Sequence, residues 1–114
     1  MRVMISQPMN GKSNEEIRKE RAEIVKKIER KGFEYIDTVF EDEGKMNKII
    51  HGGVYYLGKS IEKMAEADIV YFMKGWENAR GCKIEHLICS QYRIICEYEG
   101  IGGIIDGYKS DKQE

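Results

Sequence analysis

The chain is expected to fold as an α/β protein, a three-layer α/β/α sandwich on a parallel sheet of four to five strands. Three observations predict this. Short apolar runs alternate with longer amphipathic ones along most of the chain, the pattern of strand–helix crossovers. The run Asp68-Ile69-Val70-Tyr71-Phe72-Met73 is almost continuously apolar, as in a central strand buried on both faces. The length of 114 residues, 41% of them apolar, supplies one modest core and no more.

The elements follow in order. Residues 2–6 (Arg-Val-Met-Ile-Ser) form a first strand, ended by Gln7-Pro8-Met9-Asn10-Gly11, where the only proline and Asn10-Gly11 mark a turn. Ser13 and Glu16 are spaced as a capping box, and Ile17, Ile24, Val25 and Ile28 place one apolar stripe on the helix behind it. The Lys, Arg and Glu residues of that helix read as a solvated outer face, and Gly32 as its C-terminal stop. Phe33–Phe40, rich in aromatic and β-branched residues, predicts the second strand. Residues 41–53 have no clean period and read as a loop with room for a short helix. Leu57, Ile61, Met64 and Ala65 predict a second helix from Tyr55 to about Glu66. After the central strand and the loop at 74–81, Ile84, Leu87 and Ile88 supply the core stripe of a third helix, and Tyr92–Tyr98 a fourth strand. Residues 1–98 make the domain, and 99–114 are expected to be a partly ordered tail or an edge strand.

Composition narrows the function classes. With 19 basic against 20 acidic residues, the chain lacks the excess positive charge of a general nucleic-acid binder. No apolar run approaches the roughly 20 residues of a membrane span, and the first residues lack the pattern of a signal peptide. Cys82, Cys89 and Cys96 have neither C-x-x-C nor zinc-finger spacing, so they read as reduced thiols of a cytoplasmic protein, and no metal site is expected. Neither G-x-x-x-x-G-K-[ST] nor G-x-G-x-x-G is present, and no cofactor is expected.

In a parallel sheet, ligands bind beyond the carboxyl ends of the strands. Two loops of unusual composition belong there, 6–12 and 74–81, and they should converge. Ser6, Asn10 and Gly11 keep the backbone accessible at a helix N-terminus, equally suited to a plain turn and to an anion. Glu85 lies about 100° around the helix from Ile84, which puts it at the edge of the expected core stripe, beside Cys82 and Cys89. It is there either a partly desolvated reactive carboxylate or an interfacial glutamate paired with Arg80 or Lys83. Trp76 suits a stacking surface for a base and core packing equally well. His51, Tyr55 and Tyr56 border the long loop, and His86 points away from Glu85, which disfavours a Cys–His catalytic pair.

Ile5-Ser6-Gln7-Pro8-Met9-Asn10-Gly11, Ala67-Asp68-Ile69-Val70, and Gly75-Trp76-Glu77 followed by Arg80-Gly81-Cys82 and Glu85-His86 occur in that order over about residues 2–97. As a set they resemble the nucleoside 2-deoxyribosyltransferase-like superfamily, most closely a branch of small bacterial and phage domains without an established function. The resemblance implies a flavodoxin-like sheet, a homodimer or larger homo-oligomer, and chemistry at the bond between a nucleobase and C1′ of its sugar. It implies that Glu85 is the nucleophile, and that Ser6, Gln7, Pro8, Met9, Asn10, Gly11, Ser60, Gly75, Trp76, Asn78, Arg80 and Gly81 bind a nucleoside or nucleotide. A carboxylate suits that role, because the bond breaks through an oxocarbenium-like state that it can trap. The sequence departs from the family at three places. Ser60 stands where an aspartate usually handles the leaving base, Ala79 where a serine often holds phosphate, and Met4 where a tyrosine is common. The competing readings are a nucleotide-binding domain with little catalysis and an oligomeric interaction protein that keeps only the fold.

Overall fold

The computed structural model describes residues 1–41 and 48–107. Its elements run β1 (Arg2–Ser6), α1 (Asn14–Arg30), β2 (Glu34–Ile36), α2 (Gly52–Met64), β3 (Ile69–Phe72), a 3-10 turn (Trp76–Asn78), α3 (Arg80–Tyr92) and β4 (Ile95–Tyr98). The strands form one all-parallel sheet in the order β2-β1-β3-β4, with Met4 opposite Val70 and Ser6 opposite Phe72. This is a flavodoxin-like three-layer sandwich, as expected.

Strand side chains alternate between faces, and the two cores follow that parity. Val3, Ile5, Ile69 and Tyr71 meet Ile24 and Ile28 of α1 on one side. Met4, Val70 and Phe72 meet Met64 of α2 and Cys89 of α3 on the other. Ser6 shares the parity of Met4 and therefore belongs to the α2–α3 side. The chain leaves β1 in one direction for β2 and returns past it to β3, so the crevice that forms where strand order reverses lies at the carboxyl ends of β1 and β3.

Helix α1 begins as its sequence predicts: Glu16 N–H donates to Ser13 Oγ, and Glu16 Oε1 accepts from Ser13 N–H. Other boundaries move. The second strand spans three residues, not eight, because beyond Ile36 the chain turns in over the cleft, with Thr38 Oγ1 donating to the Ile5 carbonyl and Val39 N–H to Asp37 Oδ1. Helix α2 starts at Gly52, three residues before Tyr55, and ends at Met64. Tyr92 closes α3 and does not open β4; Arg93 follows in a left-handed conformation. Of the stretch 41–53, expected to be a loop with room for a short helix, residues 42–47 lie outside the described residues.

The inner face of α3 requires a larger correction. Its buried residues are Cys82, Glu85 and Cys89, spaced i, i+3 and i+7. Ile84 is 37% and Leu87 58% exposed, so the expected Ile84-Leu87-Ile88 stripe is not the core stripe. Glu85 thus sits in the middle of the buried face.

After β4 no further strand forms among the described residues, and 99–107 run as turns. Ile105, 2% exposed, enters the α1-side core. Two carboxylates hold this turn segment. Glu97 accepts from the N–H groups of Ile104 and Ile105, each at 2.9 Å. Asp106 accepts from Tyr71 OH at 2.6 Å and Gly100 N–H at 2.9 Å, and it pairs with Lys27. Gly103 makes this possible: its φ is +152°, and a Cβ there would lie 2.7 Å from Glu97 Oε1. No helix among the described residues is long and apolar enough to cross a membrane.

Candidate active site

At the carboxyl ends of β1 and β3 lies a cleft of about 1050 Å³. The loop after β1 forms one wall, Thr38–Phe40 a second, and the first turns of α2 and α3 close the rest. Glu85 is at its floor, only 6% exposed. The i, i+3, i+7 face of α3 turns it toward the sheet, and the parity of β1 brings Ser6 to meet it. Ser6 Oγ donates to Glu85 Oε1 at 2.6 Å, and the second carboxylate oxygen accepts no hydrogen bond from a described residue. Neither Arg80 nor Lys83 pairs with Glu85 among the described residues, so the interfacial ion pair considered from sequence does not form; Ser6 is the partner.

Burial pushes the Glu85 carboxyl up to about 7, with the Ser6 hydrogen bond and the positive charge of Arg21 pulling the other way. Burial likewise pushes the Cys82 thiol, one helical turn before Glu85, up to about 11. The floor therefore combines a carboxylate that titrates near neutrality with a thiol that stays protonated there.

Arg21 supplies the nearby positive charge from inside the protein, being 1% exposed. Its Nε donates to Gln7 Oε1 at 2.7 Å, and its Nη1 to Tyr35 OH at 2.8 Å and Thr38 Oγ1 at 3.2 Å, while Nη2 has no partner among the described residues. Gln7 in turn donates to Glu20 Oε1 and the Ile17 carbonyl. Arg21 thereby ties the loop after β1 to the segment after β2, two walls of the cleft. Sequence reasoning placed Arg21 on the solvated face of α1. Its signal was spacing, since Ile17, Arg21, Ile24 and Ile28 are the buried residues of the helix and form one stripe. Thr38 and Phe40, read as strand, were also missed as cleft residues.

The helix starts at the cleft mouth are open. His51 precedes α2 and Ala79 precedes α3; neither gives a side-chain cap, and neither helix has an acidic residue in its first turn. Their N–H groups and dipoles favour negative charge in the cleft.

Of the residues singled out from sequence, Glu85, Ser6, Gln7, Met9, Asn10, Gly11, Ser60, Asn78, Arg80 and Gly81 line the cleft, as do His51 and Tyr56. Pro8, Gly75 and Trp76 do not. Pro8 Cγ lies 3.5 Å from where a Cβ on Gly75 would stand, so these two residues bring the loops together behind the cleft. Trp76 stacks on His86 at 4.3 Å between ring centres and packs beside Phe72 and Tyr98. His86 shares a 2.6 Å hydrogen bond with Tyr98 OH in that aromatic cluster.

Fold and cleft define a flavodoxin-like domain with a buried carboxylate at its strand-order reversal. Residues 1–98 match the family model described as a domain of unknown function, DUF4406, and the chain belongs to that family. No curated protein and no solved structure matches it.

Proposed function

We propose that the protein cleaves the N-glycosidic bond of a nucleoside or nucleotide, as a hydrolase or a deoxyribosyltransferase, with Glu85 attacking C1′. The observation that carries this reading is Glu85 itself: a nearly buried carboxylate at the floor of an open cleft, one oxygen held by Ser6 and the other unbonded among the described residues. A fixed carboxylate with one free oxygen suits attack on an oxocarbenium-like carbon, which needs an anion held at one place rather than a mobile one. Ser6 and Arg21 favour the ionised, nucleophilic form against the burial that opposes it. The cleft volume suits a nucleotide, and the open starts of α2 and α3 suit its phosphate.

The test is release of free base from a panel of deoxynucleosides, deoxynucleotides and pyridine nucleotides by the wild-type chain and Glu85→Gln. Base release that vanishes in Glu85→Gln is expected; equal release by both proteins would sink the proposal. A second reading, a nucleotide-binding domain with little turnover, is favoured by Ser60 in the place of an acid. It expects ligand-induced thermal stabilisation with no product. Self-association agrees with the exposed apolar side chains of Leu87 and Tyr92 on α3, and sedimentation of the purified chain tests it.

A further inference from the structure

Resting on Glu85 as the nucleophile, we infer that the preferred substrates are nucleotides whose base already carries a positive charge, the pyridinium N-glycosides typified by nicotinamide adenine dinucleotide. Glu85 is the one carboxyl group on the cleft wall among the described residues. The other protic groups on the cleft wall include the hydroxyls of Ser6, Thr38, Tyr56 and Ser60, the Lys12 ammonium, which is paired with Glu20, and the Cys82 thiol, which holds its proton well above neutrality. His51 stands exposed at the mouth. Such a floor can attack C1′ but is poorly equipped to protonate what leaves.

That asymmetry selects the leaving group. A neutral purine or pyrimidine departs as an anion unless an acid protonates it, and losing such an acid typically costs about 10²–10⁴-fold in rate. A pyridinium needs no proton. Glu85 oxygen forms a bond to C1′ as the C1′–N bond breaks, and the bonding pair passes to the ring nitrogen, cancelling its charge, so that neutral nicotinamide leaves. Water then adds its oxygen to C1′, the ester bond to Glu85 breaks with its electron pair returning to the carboxylate, and the proton of the water passes to solvent. No oxidant or reductant enters the sequence.

The charge layout fits such a molecule. The cation of the base would lie toward the carboxylate at the floor. The diphosphate would lie toward Arg80 and the open starts of α2 and α3 at the mouth. The volume of about 1050 Å³ reaches the upper end of small-ligand pockets, as a dinucleotide requires.

Nicotinamide adenine dinucleotide holds a cationic and a neutral N-glycosidic bond in one molecule, so the full-length chain can be offered both at once, with AMP and dAMP alongside. Chromatography of released bases is expected to show nicotinamide at least about a hundredfold ahead of adenine, and neither base from Glu85→Gln. Adenine released from any of the three as fast as nicotinamide would overturn this inference and leave the glycosidase reading standing. No base from any of them would overturn this inference and leave the glycosidase reading to the wider panel, whereas nicotinamide release that persists in Glu85→Gln would overturn both. Ser60→Asp, which adds an acid to the cleft wall, is expected to narrow the ratio of nicotinamide to adenine. An unchanged ratio in a variant with the wild-type circular dichroism and melting profile would count against the explanation.

Discussion

Glu85 places two opposed demands on one side chain. In the proposed nucleophilic role it must be ionised, while burial favours the neutral form. With its carboxyl near 7, reactivity is expected to rise with pH and level off above that value, in a kcat/KM profile measured on whichever substrate is cleaved. Ser6→Ala removes a 2.6 Å hydrogen bond to the carboxylate, so the rising limb is expected to move to higher pH; a limb that stays in place would show that Ser6 does not govern ionisation. The same shift acts on folding. The unfolded chain releases this proton near 4.5 and the folded one near 7, so between those values the native state holds more protons and stability falls as pH rises. The loss is at most about 3 kcal/mol, and Glu85→Gln is expected to flatten it. Urea unfolding of both proteins at pH 4.5 and pH 8 measures the difference.

At the scale of elements, α1 and α3 were read by the same rule with different results. The capping box at Ser13 and Glu16 and the stripe of Ile17, Ile24 and Ile28 were legible, because local hydrogen bonding and burial there agree. In α3 the sequence offers two stripes, and the more apolar one, through Ile84 and Leu87, faces outward or toward the cleft mouth. The inner stripe carries a carboxylate and two thiols, and this helix lines the cleft as well as packing on the core. Hydrophobic periodicity cannot find such a face; Glu85 was found from its place after a strand-end loop and the family-like motifs around it. Arg21 escaped for the same reason, as a charge on an apolar stripe. The two helices are therefore expected to respond differently to truncation. Ile28→Ala, in the α1 core, should cost about 2–5 kcal/mol, and Leu87→Ala should stay within about 0.5 kcal/mol in the same denaturant titration. A large loss at Leu87 would show that α3 is covered in solution.

At the scale of the whole molecule, the two faces of the sheet are built differently. The α2–α3 side carries two helices, whereas the α1 side carries one helix and the turn segment 100–107. That segment depends on a glycine with no room for a side chain. Gly103→Ala would set a methyl 2.7 Å from Glu97 Oε1 at a φ of +152°, and about 1–3 kcal/mol of destabilisation is expected in thermal or urea unfolding. Limited proteolysis should cut first near this turn in the variant; wild-type resistance there would show that the turn adapts. The alternation of strand and helix was legible in sequence, but this second cover was not, since four glycines after Glu99 describe a flexible chain until Glu97 and Asp106 supply their hydrogen bonds.

Kinship and physical autonomy consequently end at different points along this chain. The shared family region stops at residue 98, where Ile105 has not yet reached its seat and Tyr71 OH has not met Asp106. A chain shortened to that boundary would keep the whole cleft wall and yet open an oily gap beside α1, at about 1.5–3 kcal/mol for the isoleucine and a further 1–3 kcal/mol for the orphaned hydroxyl. The stretch that builds the cleft wall is shorter than the stretch that covers the core beside α1.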